Sequence, residues 1–152
     1  MILVRAVPWS DPHGEALRVA QREEISARYG TPDSEPGPAP TEADIAVFLV
    51  AFDGELAVGC GGLRPIDAEH GEIKRMYVHP ARRGSGISTA VIRALEGEAR
   101  SRGWTRLVLE TGTKQPDAQR FYEREGYRPI PRFGYYADSD DSLCYEKALT
   151  DV

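Results

Sequence analysis

The chain has 152 residues, 41% hydrophobic and 28% charged, with a formal net charge of −5. That is the size and composition of one ordinary domain with a sizeable core, and it argues against a disordered chain. The acidic balance makes a nucleic-acid surface a poor default reading, and no apolar run approaches the roughly 18 to 20 residues of a membrane span.

In chain order, ILVRAV (2–7) reads as a short strand stopped by Pro8. GEALRVAQREEISARY, from about 13 to 29, is rich in helix formers, with Leu17, Ala20, Glu24/Ile25 and Arg28 at helical spacing. Its apolar face is thin, so a surface helix is expected. Residues 30–44 hold four prolines and two glycines, which makes a loop, either mobile over a site or an excursion with no role. IAVFLVAF (45–52) predicts a buried strand, Asp53-Gly54 a two-residue hairpin, and ELAVGCGGLRPI (55–66) the return strand. Gly59-x-Gly61-Gly62 is followed by no helix and so fails as a dinucleotide loop. Glycines inside a strand read instead as a bulge or a close backbone approach.

A turn at Asp67–Gly71 leads to the strand EIKRMYVHP, which runs out into ARRGSGIS and directly into a helix. Ile87, Val91, Leu95 and Ala99 give that helix one apolar stripe, Gly97 weakens its middle, and Gly103 ends it. The strand TRLVLETG (105–112) follows a helical crossover and should run parallel to EIKRMYV. A second helix, PDAQRFYEREG, has Pro116 in its first turn and Gly126 past its end. Short strands near YRPI and SLCYEKAL close the chain around the loop RFGYYADSDD. The expected fold is α/β of the α+β type: a mixed, mostly antiparallel central sheet with a splayed parallel strand pair, flanked by helices, over residues 1–152.

Glycines in the loop and unpaired amides in the first turn of the following helix make a site for a phosphate or pyrophosphate. Cys60 and Cys144 form no CxxC pair and read as two buried thiols rather than a disulfide. Neither stands with a histidine and a carboxylate as a triad nucleophile. His13, His70 and His79 have no metal-ligand spacing, so no metal is expected. MILVRAVPWSDP is too soon broken by proline for a signal peptide, and a cytoplasmic protein without nucleic-acid or membrane partners is expected.

RRGSGIS after a VHP strand end, with FYEREGY about 35 residues later, resembles the GNAT acetyltransferase superfamily. The resemblance runs from about Ile45 to Leu149 and implies an acetyl-CoA-dependent N-acetyltransferase working by direct transfer to an amine acceptor, a small molecule or a peptide. It leaves open a protein lysine or N-terminal acceptor, another acyl donor, a homodimer, and a non-catalytic acyl-CoA-binding module. In the family's pyrophosphate pattern, Gln/Arg-x-x-Gly-x-Gly/Ala, Arg83 takes the first place, Gly86 the central one and Ser88 the last, where glycine or alanine is usual. The resemblance thus gives Arg83, Gly84, Ser85, Gly86, Ile87 and Ser88 to the diphosphate, with Thr89 adding a hydroxyl. Arg82 is either a further ligand or simply solvated. Met76, Tyr77 and Val78 would offer main-chain groups to the pantetheine arm, with an N–H near Tyr77 or Val78 polarising the acetyl carbonyl.

Tyr122 falls where the family carries its general acid, though its spacing from Ala118 also suits core packing. Gln115 stands where many relatives have an asparagine that contacts the cofactor. Glu72 opens its strand where some relatives place a general base, or is an exposed strand-end glutamate. Glu110 is its rival and could instead bind the substrate amine. Acids in the loop 30–44 and in the tail 132–142 (Asp33, Glu35, Glu42, Asp44; Asp138, Asp140, Asp141) would favour a cationic substrate, and Tyr135 and Tyr136 could line a pocket or face a partner subunit.

Overall fold

The computed structural model describes residues 1–31 and 36–149, so Asp33 and Glu35 lie outside the described residues. The elements are β1 (Ile2–Ala6), α1 (Pro12–Tyr29), β2 (Val47–Asp53), β3 (Leu56–Pro65), β4 (His70–Val78), α2 (Ile87–Ser101), β5 (Arg106–Gly112), α3 (Pro116–Arg124), β6 (Arg128–Ile130) and β7 (Ser142–Ala148). Short 3-10 turns occupy Pro80–Arg82 and Gly134–Tyr136. The strands form one seven-stranded sheet in the order β1-β2-β3-β4-β5-β7-β6. Every pairing is antiparallel except β4 with β5, the mixed sheet expected from the connections. Among the described residues no helix is long and apolar enough to cross a membrane.

The period of two along β2 divides the core. Val47, Leu49 and Ala51 join Val91, Ile92, Leu95 and Leu109 under α2, while Phe48, Val50 and Phe52 join Leu17, Cys60 and Tyr77 under α1. The predicted stripe of α2 is buried along its length, and each of its large aliphatics contributes about 1.5–3 kcal/mol by leaving water. The last turn of α2 closes as a Schellman motif: Gly103 has φ 79° and the Trp104 amide donates to the Ala99 carbonyl at 3.0 Å. Gly97 is exposed, and a Cβ built on it meets nothing within 4 Å. Gly97→Ala should therefore stabilise the fold by about 0.5–1 kcal/mol, read as a raised midpoint in urea with an unchanged slope.

The β2–β3 hairpin differs by one residue from expectation. Asp53 still pairs with Leu56, and the loop is Gly54-Glu55, with Gly54 at φ 62°. A two-residue turn with positive φ only at its first central position places the glycine there. Asp53 is thereby free to accept from Arg82 Nη1 at 2.6 Å. This ion pair lowers the Asp53 pKa and ties the loop after β4 to the hairpin.

Two irregularities in β4 make the site. Its pairing with β5 runs only from His70↔Arg106 to Ile73↔Leu109, after which the strands part. Against β3 the register slips: Cys60 faces Tyr77 but Gly62 faces Lys74, so β4 carries one extra residue. That β-bulge contains Arg75 at φ 61°, the one non-glycine residue at positive φ among those described. Across from it, a Cβ on Gly61 would come within 2.6 Å of Met76 Sδ, and one on Gly59 within 2.8 Å of Ile87 Cγ2. The β3 glycines thus mark a close approach, as their place inside a strand predicts.

Candidate active site

The parting of β4 and β5 opens a fork whose mouth is the start of α2. Gly84 and Gly86, at φ 82° and 88°, turn the chain there, and a Cβ on either would meet nothing within 4 Å. These glycines serve backbone conformation and leave the surface open. Gly86 provides no side-chain cap, and the first i to i−4 bond of α2 is Ala90 N–H to Gly86 O at 3.1 Å. The amides of Ile87, Ser88 and Thr89 therefore lack intrahelical partners at the positive end of the helix dipole.

A cavity of about 450 Å³ runs from this helix end into the fork. Of the residues expected to bind a cofactor, Arg83, Gly84, Gly86, Ile87, Ser88 and Thr89 line it from the loop and helix, Met76, Tyr77 and Val78 from β4, and Gln115 from the start of α3. Ser85 is the exception: its hydroxyl donates to the Arg82 carbonyl within the loop and it lies off the cavity wall. Arg83 also organises the loop. Its Nε donates to Val78 O at 3.0 Å, its Nη2 to both Glu24 carboxylate oxygens at 2.9 and 3.0 Å, and its guanidinium lies over the Tyr77 ring. Arg82, bound to Asp53, joins the wall as well.

Ladder alternation selects one main-chain donor. The His79 amide donates to Val58 O at 2.9 Å on β3, so the N–H and C=O of the preceding Val78 point the other way, toward the fork. Arg83 covers the Val78 carbonyl; the adjacent N–H faces the space between the strands.

Tyr122 is 7% exposed and packs edge-on or tilted against Phe121, Tyr127 and Tyr145, so its core and cavity roles coexist. The Schellman turn after α3 fixes it, with Tyr127 N–H donating to Tyr122 O at 2.9 Å and Gly126 at φ 95°. Burial, and secondarily the Glu110 carboxylate, push its hydroxyl well above the usual tyrosine range, so it keeps its proton at neutral pH.

Tyr122, Met76 and Gln115 also line an adjoining cavity of about 120 Å³, whose other walls include Tyr29, Lys74, Arg75, Glu110, Thr111, Asp141 and Ser142. Glu110 is half-buried there and accepts from Ser142 Oγ at 2.7 Å. At the far end of α1 the Tyr29 hydroxyl accepts from the Lys114 amide at 3.1 Å. Gly112 permits this approach, since a Cβ on it would fall 1.6 Å from the Tyr29 oxygen.

Glu72 lines neither cavity and is no exposed strand-end group. It is 4% exposed, and its carboxylate accepts from Arg64 Nη2 at 2.8 Å and Tyr136 Oη at 2.7 Å, with Lys74 Nζ at 3.8 Å. Because β4 begins at His70, Glu72 sits where β4 and β5 still pair, and it points into a packed ionic cluster. Tyr136 belongs to this cluster, whereas Tyr135 is 67% exposed with its ring against Gly37 of the proline-rich segment. Both cysteines are buried and free. Burial pushes the Cys60 thiol up to about 12, which leaves it unreactive at neutral pH.

The sequence reading missed α1 as a wall. Gln21, Glu24, Ile25 and Arg28 line the larger cavity, as do Asp117, Arg120 and Arg124 of α3. Their spacing of three to four residues along each helix is the available signal, but a polar helical stripe reads equally as solvated surface. Five arginines (28, 82, 83, 120 and 124) against Glu24 and Asp117 give the cavity an excess of positive charge. With the open amides, that fits an anionic ligand.

Residues 14–127 match the acetyltransferase (GNAT) family. The chain is 40% identical over 104 residues to an IAA acetyltransferase of Azospirillum brasilense, covering 67% of each chain. It is 34% identical over 104 residues to the uncharacterised N-acetyltransferase YsnE of Bacillus subtilis, covering 67% of this chain and 69% of the relative. A Klebsiella pneumoniae protein provisionally described as an acyl-CoA N-acyltransferase superposes with a TM-score of 0.82 at 30% identity over 99% of both chains. An Elizabethkingia anophelis acetyltransferase crystallised with acetyl-CoA shares the fold, with a TM-score of 0.73 at 18% identity over 97% of this chain and 98% of that one. The forked parallel pair, the glycine-turned helix start and these matches agree: the chain is an enzyme of the GNAT N-acetyltransferase family.

Proposed function

We propose that the chain transfers an acetyl group from acetyl-CoA to a primary amine of a small molecule or peptide, by direct attack within a ternary complex. The observation that carries this reading is the fork. It joins an anion-binding helix start to a buried tyrosine, and a second, smaller cavity opens at that tyrosine. Acetyl-CoA supplies a thioester carbonyl open to attack by an amine. The amides of Ile87–Thr89 and the arginines around the mouth hold the diphosphate, and the splayed edge of β4 receives the pantetheine arm. Val78 N–H donates to the carbonyl oxygen as charge develops on it, a role that asks nothing of the valine side chain. Tyr122 gives its hydroxyl proton to the departing sulfur. Glu110 accepts the amine proton, directly or through water. The new N–C bond thus forms as the C–S bond breaks, with one proton removed from nitrogen and one delivered to sulfur. Glu72 takes no part, since its carboxylate is committed to Arg64 and Tyr136. A cavity of about 120 Å³ carrying Glu110 and Asp141 suits a small amine or the end of a peptide.

Acetyl-CoA at a hundredfold excess over its Kd should stabilise the fold by about 2.7 kcal/mol, raising Tm on the order of 5–10 °C for a chain of this length. Thiol release with a panel of primary amines tests transfer. The panel should also include IAA, after the name of the Azospirillum relative. A Tm shift without thiol release across the panel would place the acceptor outside the amines tested, and no shift at millimolar acetyl-CoA would exclude acetyl-CoA as the donor.

A further inference from the structure

On the cavity side of β4 the main-chain carbonyls are already capped by side chains. Val78 O accepts from Arg83 Nε at 3.0 Å, and Met76 O accepts from Gln21 Nε2 at 2.8 Å. An extended, amide-bearing ligand laid along this prong as an added strand would ordinarily give its N–H groups to such carbonyls. Here it meets a guanidinium, which has no acceptor, and a primary amide, which has one. The orientation of that amide is fixed, because Met76 O only accepts and the Gln21 atom facing it must be nitrogen. Gln21 Oε1 is consequently turned elsewhere. It is buried and accepts no hydrogen bond among the described residues, while the residue lines both cavities at their junction. A buried carbonyl oxygen without a donor is disfavoured and calls for one.

We propose that Gln21 is a binding residue for the acyl donor, standing in for the β4 carbonyl that it caps: its Oε1 accepts an amide N–H of the pantetheine arm. The inference rests on acetyl-CoA being the donor. It adds that α1, packed on the sheet face away from α2, helps to choose among thioesters by requiring an N–H at one place along the arm. The N–H of the acceptor amine has the same chemistry and could reach the same junction, so the test separates the two.

The experiment is calorimetric titration of the wild type and Gln21→Leu without any acceptor amine. The ligands are acetyl-CoA, two analogues in which one or the other pantetheine amide N–H is replaced by oxygen, and adenosine 3′,5′-bisphosphate, which lacks the arm. The wild type should bind one of the two analogues about tenfold more weakly than acetyl-CoA, the equivalent of about 1.4 kcal/mol. Gln21→Leu should bind acetyl-CoA about tenfold more weakly than the wild type and no longer distinguish that analogue, with the bisphosphate bound alike by both proteins. Three results would overturn the inference: unchanged acetyl-CoA affinity in the variant, discrimination retained by the variant, or an equal loss for the bisphosphate, which would mark a purely structural role. The first of these combined with a raised KM for the amine would assign Oε1 to the acceptor instead. If the wild type bound no acetyl-CoA, the proposed donor itself would be wrong.

Discussion

Tyr122→Phe is expected to lower kcat for amine acetylation by about 10²–10⁴-fold, the range for losing a positioned proton donor, while the Kd for acetyl-CoA stays within about twofold. The substitution keeps the ring that packs against Phe121, Tyr127 and Tyr145 and removes only the hydroxyl at the junction of the cavities, so Tm should hardly move. Thiol release under saturating acetyl-CoA reads the effect, and full turnover in the variant would reduce Tyr122 to a core residue. Ionisation supplies a second check. Burial raises the Tyr122 pKa above its ordinary value of 10, so the hydroxyl stays protonated and no alkaline loss of activity from this group should appear below about pH 10. The same shift has a definite sign in stability. The folded chain holds this proton more tightly than the unfolded chain, so stability is complete below about pH 10 and declines as pH rises beyond it. Tyr145, pushed up to about 12 by burial and by its bond to Glu123, acts in the same direction.

The sequence discloses the parts of this site that depend on backbone conformation. Gly84 and Gly86 must adopt positive φ for the chain to turn from β4 into α2, and only that residue type does so freely, so the loop is legible. The stripe Ile87–Val91–Leu95–Ala99 and the crossover it implies fix β5 parallel to β4, and so the fork. What stays hidden depends on packing between distant segments. Gln21 and Met76 are 55 positions apart, and nothing in α1 marks a glutamine that will meet a bulge carbonyl. The bulge itself is silent, since Arg75 is not a residue type that announces positive φ. Arg82 follows the same logic, because its partner Asp53 looked like a hairpin residue. The fate of the Ser85 side chain is equally hidden, because its hydroxyl closes the loop on Arg82 O and nothing in the sequence marks that local bond.

Glu110→Gln and Glu72→Gln should part cleanly, although both replace a carboxylate on the α1 face of the fork. Ile73 and Leu109 are the last registered pair of β4 and β5, and both face the α2 core. Glu110, the next residue on its prong, therefore points to the opposite face and into the smaller cavity. Glu72 lies one residue on the paired side of the split and enters the cluster with Arg64, Lys74 and Tyr136. Glu110→Gln should cost about 10²-fold in kcat/KM near pH 7. Part of that loss should recover as pH rises and more of the acceptor enters already deprotonated. Stability should change little, on the order of 1 kcal/mol, since Gln keeps an oxygen able to accept from Ser142 Oγ. Glu72→Gln should do the reverse. Taking one carboxylate from a buried pair leaves Arg64 and Lys74 facing each other without it, a loss of about 3 kcal/mol, or on the order of 6–12 °C in Tm. Its kcat, measured well below that Tm, should stay within a few-fold of wild type. Equal losses of turnover in the two variants, each still folded, would return the base to Glu72 and require the packed cluster to open during catalysis.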